Sequence, residues 1–268
     1  MSTSRRVTLA VSFSSLFLIW LANVASGEQP KEAHITALVR DVTLVSPQAE
    51  TRLAALNDTL PDKTMVWTDA DSRAEITFPG QAVARLWSDT VLSVKNGGRD
   101  LELGKGVILL EVPPGIKGKI HAPGIAAAVS GTTVMFESHP NVFKFLVLEG
   151  TGRLYRPRSL GDSLLVKPGQ MVFGRPNAAL SDPVDFDIAR FLRTCRLIYD
   201  FPPLHSEILM VAESDKQDRQ KSKKMLIDTN LFIFGGGTLV SVVDPGTDAA
   251  TTAPQQNASP NLGHTKGP

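Results

Sequence analysis

Short apolar runs separated by turn residues occupy the first two thirds of the chain. Between residues 34 and 174, hydrophobic and polar positions alternate, and Gly or Pro interrupts them roughly every ten residues. Residues 74–78 and 83–87 are two such runs, and each is followed by a turn pair, Pro-Gly or Ser-Asp. Alternation with a period of two places every second side chain on one face of a sheet. The pattern therefore predicts an all-β fold of many short antiparallel strands, arranged as a sandwich or a solenoid. Only residues 49–56 could form a short helical turn.

The pattern changes after Gly174, where apolar residues recur at helical spacing and Asp187 can cap a helix. The apolar face of this predicted helix consists of Ile188, Phe191, Leu192, Cys195 and Ile198. The helix should end at residues 201–203, Phe-Pro-Pro. An isolated helix of this length is marginal in water. We therefore expect it to pack against the β region.

The remaining C-terminal residues fall into three segments. Residues 212–224 are rich in charge and are predicted to be a connector, and residues 226–243 read as two strands around the glycines at 235–237. Phe232 and Phe234 of this hairpin are expected to pack on the β region. Residues 245–268 contain almost nothing to bury and are predicted to be a disordered tail.

The N-terminus has the layout of a secretory signal peptide. Arg5 and Arg6 precede an uncharged run over residues 7–22, and small residues follow at 23–27. Cleavage after Gly27 would place the mature protein outside the cytoplasmic membrane. The alternative is an uncleaved membrane anchor, because the uncharged run is about long enough to span a bilayer.

Composition and charge exclude several classes of protein. Lys and Arg number 28 against 27 Asp and Glu, so a nucleic-acid partner is not expected. One Cys excludes a disulfide scaffold and a zinc site built on cysteines, and the five His residues are scattered. No acid, base and nucleophile set can be named. The sequence predicts a protein without catalytic residues, metal or cofactor.

Two groups of residues are weak candidates for partner binding. Arg190, Arg193 and Arg196 form a stripe at i, i+3 spacing on the predicted helix; this stripe is either a solvated face or a surface for an anionic partner. Trp67 and Trp87 lie in predicted strands, where aromatic side chains usually pack in the core but can also hold a carbohydrate or a peptide.

Several short motifs in the β region resemble those of the FecR family, in the family's order. They are Ser-Arg-Ala-Glu-Ile at 72–76, Leu-Glu-Leu-Gly-Lys-Gly-Val at 101–107 with Leu-Glu-Val-Pro at 110–113, Ile-His-Ala-Pro at 120–123 with Ala-Val-Ser-Gly-Thr-Thr at 128–133, Val-Leu-Glu-Gly at 147–150, and Pro-Gly-Gln at 168–170. Gly104, Gly131, Gly150 and Gly169 are expected to supply turns. The resemblance spans residues 31–175, which leaves 176–244 as an extension.

The resemblance implies an extracytoplasmic β domain of a Gram-negative bacterial envelope. Known members of the family are regulators with a cytoplasmic anti-sigma segment before a membrane helix. Only six residues precede the apolar run here, so no contact with a sigma factor is expected, and Ser130 replaces the family's usual Arg before Gly-Thr. The resulting hypothesis is a non-enzymatic binding or scaffolding module for an envelope protein or a polysaccharide. The alternative is a membrane-tethered sensor of envelope signalling, if the N-terminal segment stays attached.

Overall fold

A computed structural model describes residues 32–47, 49–159 and 161–220, together with the backbone of two short strands further on. The strands before the longest one are β1 (Ala33–Val39), β2 (Val42–Val45), β3 (Arg52–Leu53), β4 (Thr59–Leu60), β5 (Met65–Thr68), β6 (Arg73–Thr77), β7 (Val83–Leu86) and β8 (Val91–Lys95). The next are β9 (Asp100–Val112), β10 (Gly118–Ala122), β11 (Ile125–Val129), β12 (Thr132–His139), β13 (Val142–Glu149), β14 (Gly152–Tyr155), β15 (Ser163–Val166), β16 (Gln170–Gly174) and β17 (Val184–Asp185). The helices are α1 (Ile188–Thr194), α2 (Arg196–Tyr199) and α3 (Glu207–Gln220), and the last strands are β18 (Leu226–Ile227) and β19 (Val242–Val243).

The first seventeen strands form two layers that share β9. Sheet A has the order β4-β1-β6-β7-β9-β12-β13-β16-β17, and sheet B has the order β3-β2-β5-β8-β9-β10-β11-β14-β15. The all-β prediction is confirmed, and the architecture is a sandwich. One detail of the prediction is wrong, because β9 and β10 pair in parallel.

Strand β9 crosses from one sheet to the other at Gly106. This residue has a φ of +98°, and a Cβ atom there would lie 2.3 Å from Oγ1 of Thr90. Thr90 Oγ1 accepts a hydrogen bond from the backbone N–H of Val107 at 3.0 Å, which fixes the bend. The turn expected at Gly104 is therefore wrong by two residues, since Gly104 lies inside the strand. The glycines expected at turns 131, 150 and 169 do have positive φ angles.

The main hydrophobic core lies between the two sheets. It takes alternate residues from every central strand, and β9 shows the alternation most clearly. Leu101 and Leu103 face this core from the half of β9 in sheet B, and Ile108 and Leu110 face it from the half in sheet A. A cluster of phenylalanines fills one end; Phe136 and Phe145 meet edge to face with ring centroids 5.6 Å apart.

A second core lies between the outer face of sheet A and the three helices. Phe191 of α1 is 1% exposed and packs edge to face on Phe186, with centroids 6.1 Å apart. Leu109, Met135 and Leu146 from the sheet belong to the same cluster. The expectation that Phe191, Leu192 and Cys195 pack on the β region is confirmed.

The C-terminal helices differ from the prediction in two ways. The single predicted helix is broken at Cys195, whose ψ of 112° is extended, so α1 and α2 are separate short helices. The predicted charged connector is instead the long helix α3. Its Glu, Lys, Gln and Arg residues are good helix formers, and only Met210 and Ser214, one turn apart, are buried in it. Because only a narrow stripe of α3 is buried, its sequence shows little apolar periodicity.

The short helical turn expected over residues 49–56 is also absent from the described residues there. The chain instead forms β3 and a turn, in which Ala54 donates its N–H to the carbonyl oxygen of Val42. Strands β18 and β19 pair antiparallel, in agreement with the predicted hairpin. The hairpin residues Phe232 and Phe234, the signal peptide 1–27 and the tail 245–268 lie outside the described residues. Among the helices that the structure describes, none is both long and apolar enough to cross a membrane.

Candidate functional site

The outer face of sheet A carries charged side chains that the helices bury. Arg85 of β7 is 1% exposed; its Nε donates to Glu75 Oε2 and its Nη1 donates to the carbonyl oxygen of Leu197, both at 2.8 Å. Its Nη2 donates to the carbonyl oxygen of Pro202, and its guanidinium lies 5.0 Å from the ring centroid of Phe201. Arg85 therefore ties the end of α2 and the following loop to the sheet.

A second cationic pair surrounds Trp87, which directly follows β7. Nη2 of Arg73 and Nε of Arg196 lie 3.0 and 2.9 Å from Oδ2 of Asp200. The same two guanidinium groups lie 5.3 and 5.8 Å from the centroid of the Trp87 ring. Two of the sequence candidates, Trp87 and Arg196, are thus brought together by the fold.

Buried acids lie further along the same face. Glu137 of β12 stands opposite Lys144 of β13 in the ladder, and Lys144 Nζ lies 2.7 Å from Glu137 Oε2. Glu149 Oε1 accepts from Thr133 Oγ1 at 2.9 Å. Burial is the main cause that raises the pKa of Glu149, and the nearby carboxylate of Glu111 raises it further.

A half-open cavity of about 180 Å³ lies where α1 meets α2 above the sheet. Trp87, Val107 and Lys144 line it from sheet A, and Cys195 and Arg196 line it from the helices. Burial raises the pKa of the Cys195 thiol to about 11, so this thiol is protonated and unreactive at neutral pH.

The outer face of sheet B is open to solvent and carries a ladder row across five strands. Lys119 of β10 pairs with Asp100 on one side and with Ala128 on the other. Ala128 pairs with Arg153, which pairs with Leu165. Since neighbouring strands lie about 4.8 Å apart, the Cα atoms of Lys119 and Arg153 are roughly 10 Å apart, with a methyl group between them.

This row forms the floor and walls of a basic groove of about 460 Å³. Arg99, Lys117, Lys119 and Arg153 line it, against one carboxylate, that of Asp100. Arg99, Lys117 and Lys119 are exposed. Within the described ranges, these three make no ion pair. We call this surface the sheet B groove. It can hold anionic groups at several points along its length.

Ser130, the residue that replaces the family's usual Arg, lies at one end of the groove. Its Oγ donates to the carbonyl oxygen of Ile116 at 2.8 Å, so the short side chain fixes the loop before β10. An extended cationic side chain is therefore missing at this point, and the positive charge of the groove comes from neighbouring strands.

The other predicted binding residues do not join one site. Trp67 lies in sheet B, is 43% exposed and has the ammonium of Lys105 6.0 Å from its ring centroid, so the core-packing interpretation of Trp67 is wrong. Trp87 is partly buried in the second core, as core packing requires. Arg190 and Arg193 lie on α1, whereas Arg196 begins α2, so the three arginines are not one continuous helical stripe.

Sequence reasoning missed the sheet B groove because its cations come from distant segments. A local signal did exist, since Lys117 and Lys119 flank Gly118 with the spacing of one strand face. Nothing in the sequence, however, indicated that Arg99 and Arg153 lie beside them.

Comparisons with known proteins agree with the motifs in the β region. The family model described as FecR protein matches residues 64–151. Two crystal structures of a "putative anti-sigma factor" from Parabacteroides distasonis are similar to parts of this chain. One is 14% identical over 68% of this chain and 85% of the other, with a TM-score of 0.43. The second is 10% identical over 67% and 98%, with a TM-score of 0.40.

At these identities and TM-scores the two structures carry no inference about function. No curated protein shows significant similarity to the sequence. The family match covers strands β5 to β13, which include most of both sheets and four of the five motif steps. Residues 64–151 therefore match the FecR family model, which identifies a FecR-type region within the sandwich.

Proposed function

We propose that this protein is a non-enzymatic binding module of the bacterial envelope that holds an anionic partner in the sheet B groove. The observation that carries the proposal is the set of four cationic side chains along one open groove against a single carboxylate. The outer face of sheet A, by contrast, is covered by helices, and its charges are paired with one another or with the helical segment. Of these two faces, the groove is the one whose described residues offer exposed charge without an ion pair.

The partner should be a chain with repeated negative charges. An exposed ion pair contributes only about 0.2–1 kcal/mol, so a single anionic group would bind weakly at this surface. Lys119 and Arg153 are two strands apart on the same row, which suits two charged groups about 10 Å apart on one extended partner. An acidic envelope polysaccharide fits this requirement.

The proposed compartment is the periplasm or the cell exterior. Its support is the signal-peptide layout of residues 1–27, which agrees with the extracytoplasmic location implied by the FecR match. The division into a FecR-like domain over 31–175 and an extension over 176–244 belongs to the same proposal.

Binding to a polymer of uronic acid tests the groove. Biolayer interferometry with immobilised polygalacturonate should show binding by the full chain, and the affinity should fall as sodium chloride is raised. The double variant Lys119→Glu with Arg153→Glu should weaken binding about ten-fold or more, since it replaces two attractive contacts by repulsive ones.

The matched control is Lys63→Glu with Arg219→Glu, which changes the net charge equally at exposed positions outside the groove. It should leave binding within about two-fold of the original protein. Equal losses in the two double variants would show that only net charge matters, and the groove would then not be the binding face. Neutral dextran should not bind to any variant.

A second candidate function is a membrane-tethered component of envelope signalling. The specific support is the FecR match itself, because this family suggests a signalling role in the envelope. The two candidates differ in the fate of residues 1–27. Intact mass and fractionation of the protein from its native host separate them. Loss of about 27 residues favours the secreted module, and retention of the full mass in the membrane fraction favours the tethered sensor.

A further inference from the structure

The cavity between α1, α2 and sheet A is preformed, because rigid elements build its walls. Val107 comes from the middle of sheet A, and Phe191 and Leu197 come from helices that are packed on that sheet. The helices are held in place by polar contacts, notably that of Arg85 with the carbonyl oxygen of Leu197. The walls therefore cannot close over the space without breaking buried hydrogen bonds.

The size of the cavity limits its occupant to one ring. Its volume is about 180 Å³. An apolar cavity of about 150 Å³ in another protein holds one benzene molecule. A single six-membered ring with a small substituent therefore fits, whereas a fused polycyclic or a sugar chain does not.

The chemistry of the walls favours an aromatic ring. Three aromatic side chains face the cavity, those of Trp87, Phe191 and Tyr199. The sulfur atoms of Met135 and Cys195 belong to lining residues as well. Edge contacts between rings and contacts of sulfur with ring edges both stabilise an aromatic occupant beyond its burial.

The charged residues of the walls favour an anionic substituent on that ring. Lys144 and Arg196 are the charged lining residues, and no acidic side chain lines the cavity within the described part of the chain. Arg196 is exposed at the mouth, where its Nε also lies 2.9 Å from Asp200 Oδ2, whereas Lys144 is buried beside Glu137. A carboxylate at the mouth would meet Arg196 while the ring lies inside.

We propose that this cavity binds a small monocyclic aromatic carboxylate, with the ring between Trp87 and Phe191 and the carboxylate at Arg196. This site is distinct from the sheet B groove and does not depend on the function proposed for that groove. Trp87 and Arg196 then serve as binding residues, but for a small molecule instead of a macromolecular surface.

Fluorine NMR of 4-fluorophenylacetate with the full chain tests the site. The probe should show a saturable change in chemical shift and line width. Arg196→Gln should weaken binding about five-fold, the most that an exposed ion pair contributes. The matched control Arg193→Gln, an exposed residue of α1 that does not line the cavity, should bind like the original protein. Thr194→Trp should abolish binding by filling the mouth, and far-UV circular dichroism should show that the variant is folded.

Cys195 provides a second measurement that needs no variant. It is the single cysteine of the chain and lines the cavity. At pH 9.5, where a small fraction of this thiol is ionised, saturating 4-fluorophenylacetate should slow its reaction with methyl methanethiosulfonate. The proposal is overturned if the probe does not bind, if a folded Thr194→Trp variant binds it normally, or if Cys195 reacts at an unchanged rate. Equal binding of neutral 4-fluorobenzyl alcohol would overturn the assignment of an anionic ligand.

Discussion

The outer faces of the two sheets carry similar residues, but one face is buried under helices and the other is exposed to solvent. Lys144 of sheet A and Lys119 of sheet B are both lysines within strands. Lys144 is buried against Glu137, while Lys119 is exposed beside Ala128 and has no ion pair among the described residues. The difference lies in what covers each sheet. Helices α1 to α3 lie on sheet A, and sheet B faces solvent.

The comparison shows that charges on a covered face and on an open face contribute differently to the stability of the fold. A charge buried under the helices must keep its partner, because an uncompensated buried charge is strongly destabilising. The charges of sheet A therefore hold the helical layer in position. The charges of sheet B contribute little to folding and are available for a ligand.

Replacing Lys144 or Lys119 by Met should give the largest difference in the free energy of unfolding between the two faces. Lys144→Met leaves the carboxylate of Glu137 buried without its ammonium partner and should lower the free energy of unfolding by about 3–5 kcal/mol. Lys119→Met, the matched change in sheet B, should alter it by no more than about 0.5 kcal/mol. Urea unfolding followed by tryptophan fluorescence measures both. Similar losses in the two variants would contradict the distinction between the faces.

The two tryptophans provide a smaller contrast of the same kind. Trp87→Leu removes a partly buried ring that faces two guanidinium groups. This change should lower the free energy of unfolding by about 1–2 kcal/mol. Trp67→Leu removes an exposed ring near a single ammonium group and should lower the free energy of unfolding by only about 0.5–1 kcal/mol. Thermal unfolding of both variants shows which substitution lowers stability more. A larger loss at Trp67 would mean that its ring supports the fold more than its exposure indicates.

The smallest expected effect concerns Glu149 and pH. Burial raises the pKa of Glu149, so the native state binds more protons than the unfolded state between the ordinary glutamate pKa and the raised one. This contribution to stability therefore falls as the pH rises through that window, and the penalty persists above it. Glu149→Gln should be slightly more stable than the original protein at neutral pH, and its stability should depend less on pH.

Urea unfolding between pH 4.5 and 7.5 measures this dependence. The original protein, unfolded over the same pH range, is the reference. Glutamine retains the oxygen that accepts from Thr133 Oγ1, so the hydrogen bond survives the change. A Glu149→Gln variant that is less stable than the original protein at neutral pH would show that the charge of Glu149 stabilises the fold.

Part of the sandwich could be predicted because its longer strands show a local pattern in the sequence. The alternation over residues 74–78 and 83–87 appears as β6 and β7, and the glycines at 131, 150 and 169 stand at turns with positive φ. A Cβ atom on Gly150 would lie 2.3 Å from the carbonyl oxygen of Gly131, so two of the FecR motifs meet in space where no side chain fits.

The candidate sites could be predicted only in part. Trp87 and Arg196 were identified as binding candidates from their residue types, and they do meet beside one cavity. Their partner Lys144, and every wall of the sheet B groove, depend on strand pairing between distant segments. Helix α3 was missed for a different reason, since it buries only Met210 and Ser214 and its apolar pattern is too weak to read.

The sequence by itself determined the all-β class, the position of several strands and the amphipathic segment that follows them. These properties follow from spacing between near neighbours, which a period of two or of 3.6 residues records directly. The tertiary structure decided which face of the sandwich is covered, and therefore which charges are buried and which are open to a ligand. That outcome depends on where helices α1 to α3 pack. The nearly continuous apolar run of β13 is typical of a strand that is buried on both faces, but it does not show which segment covers the outer face.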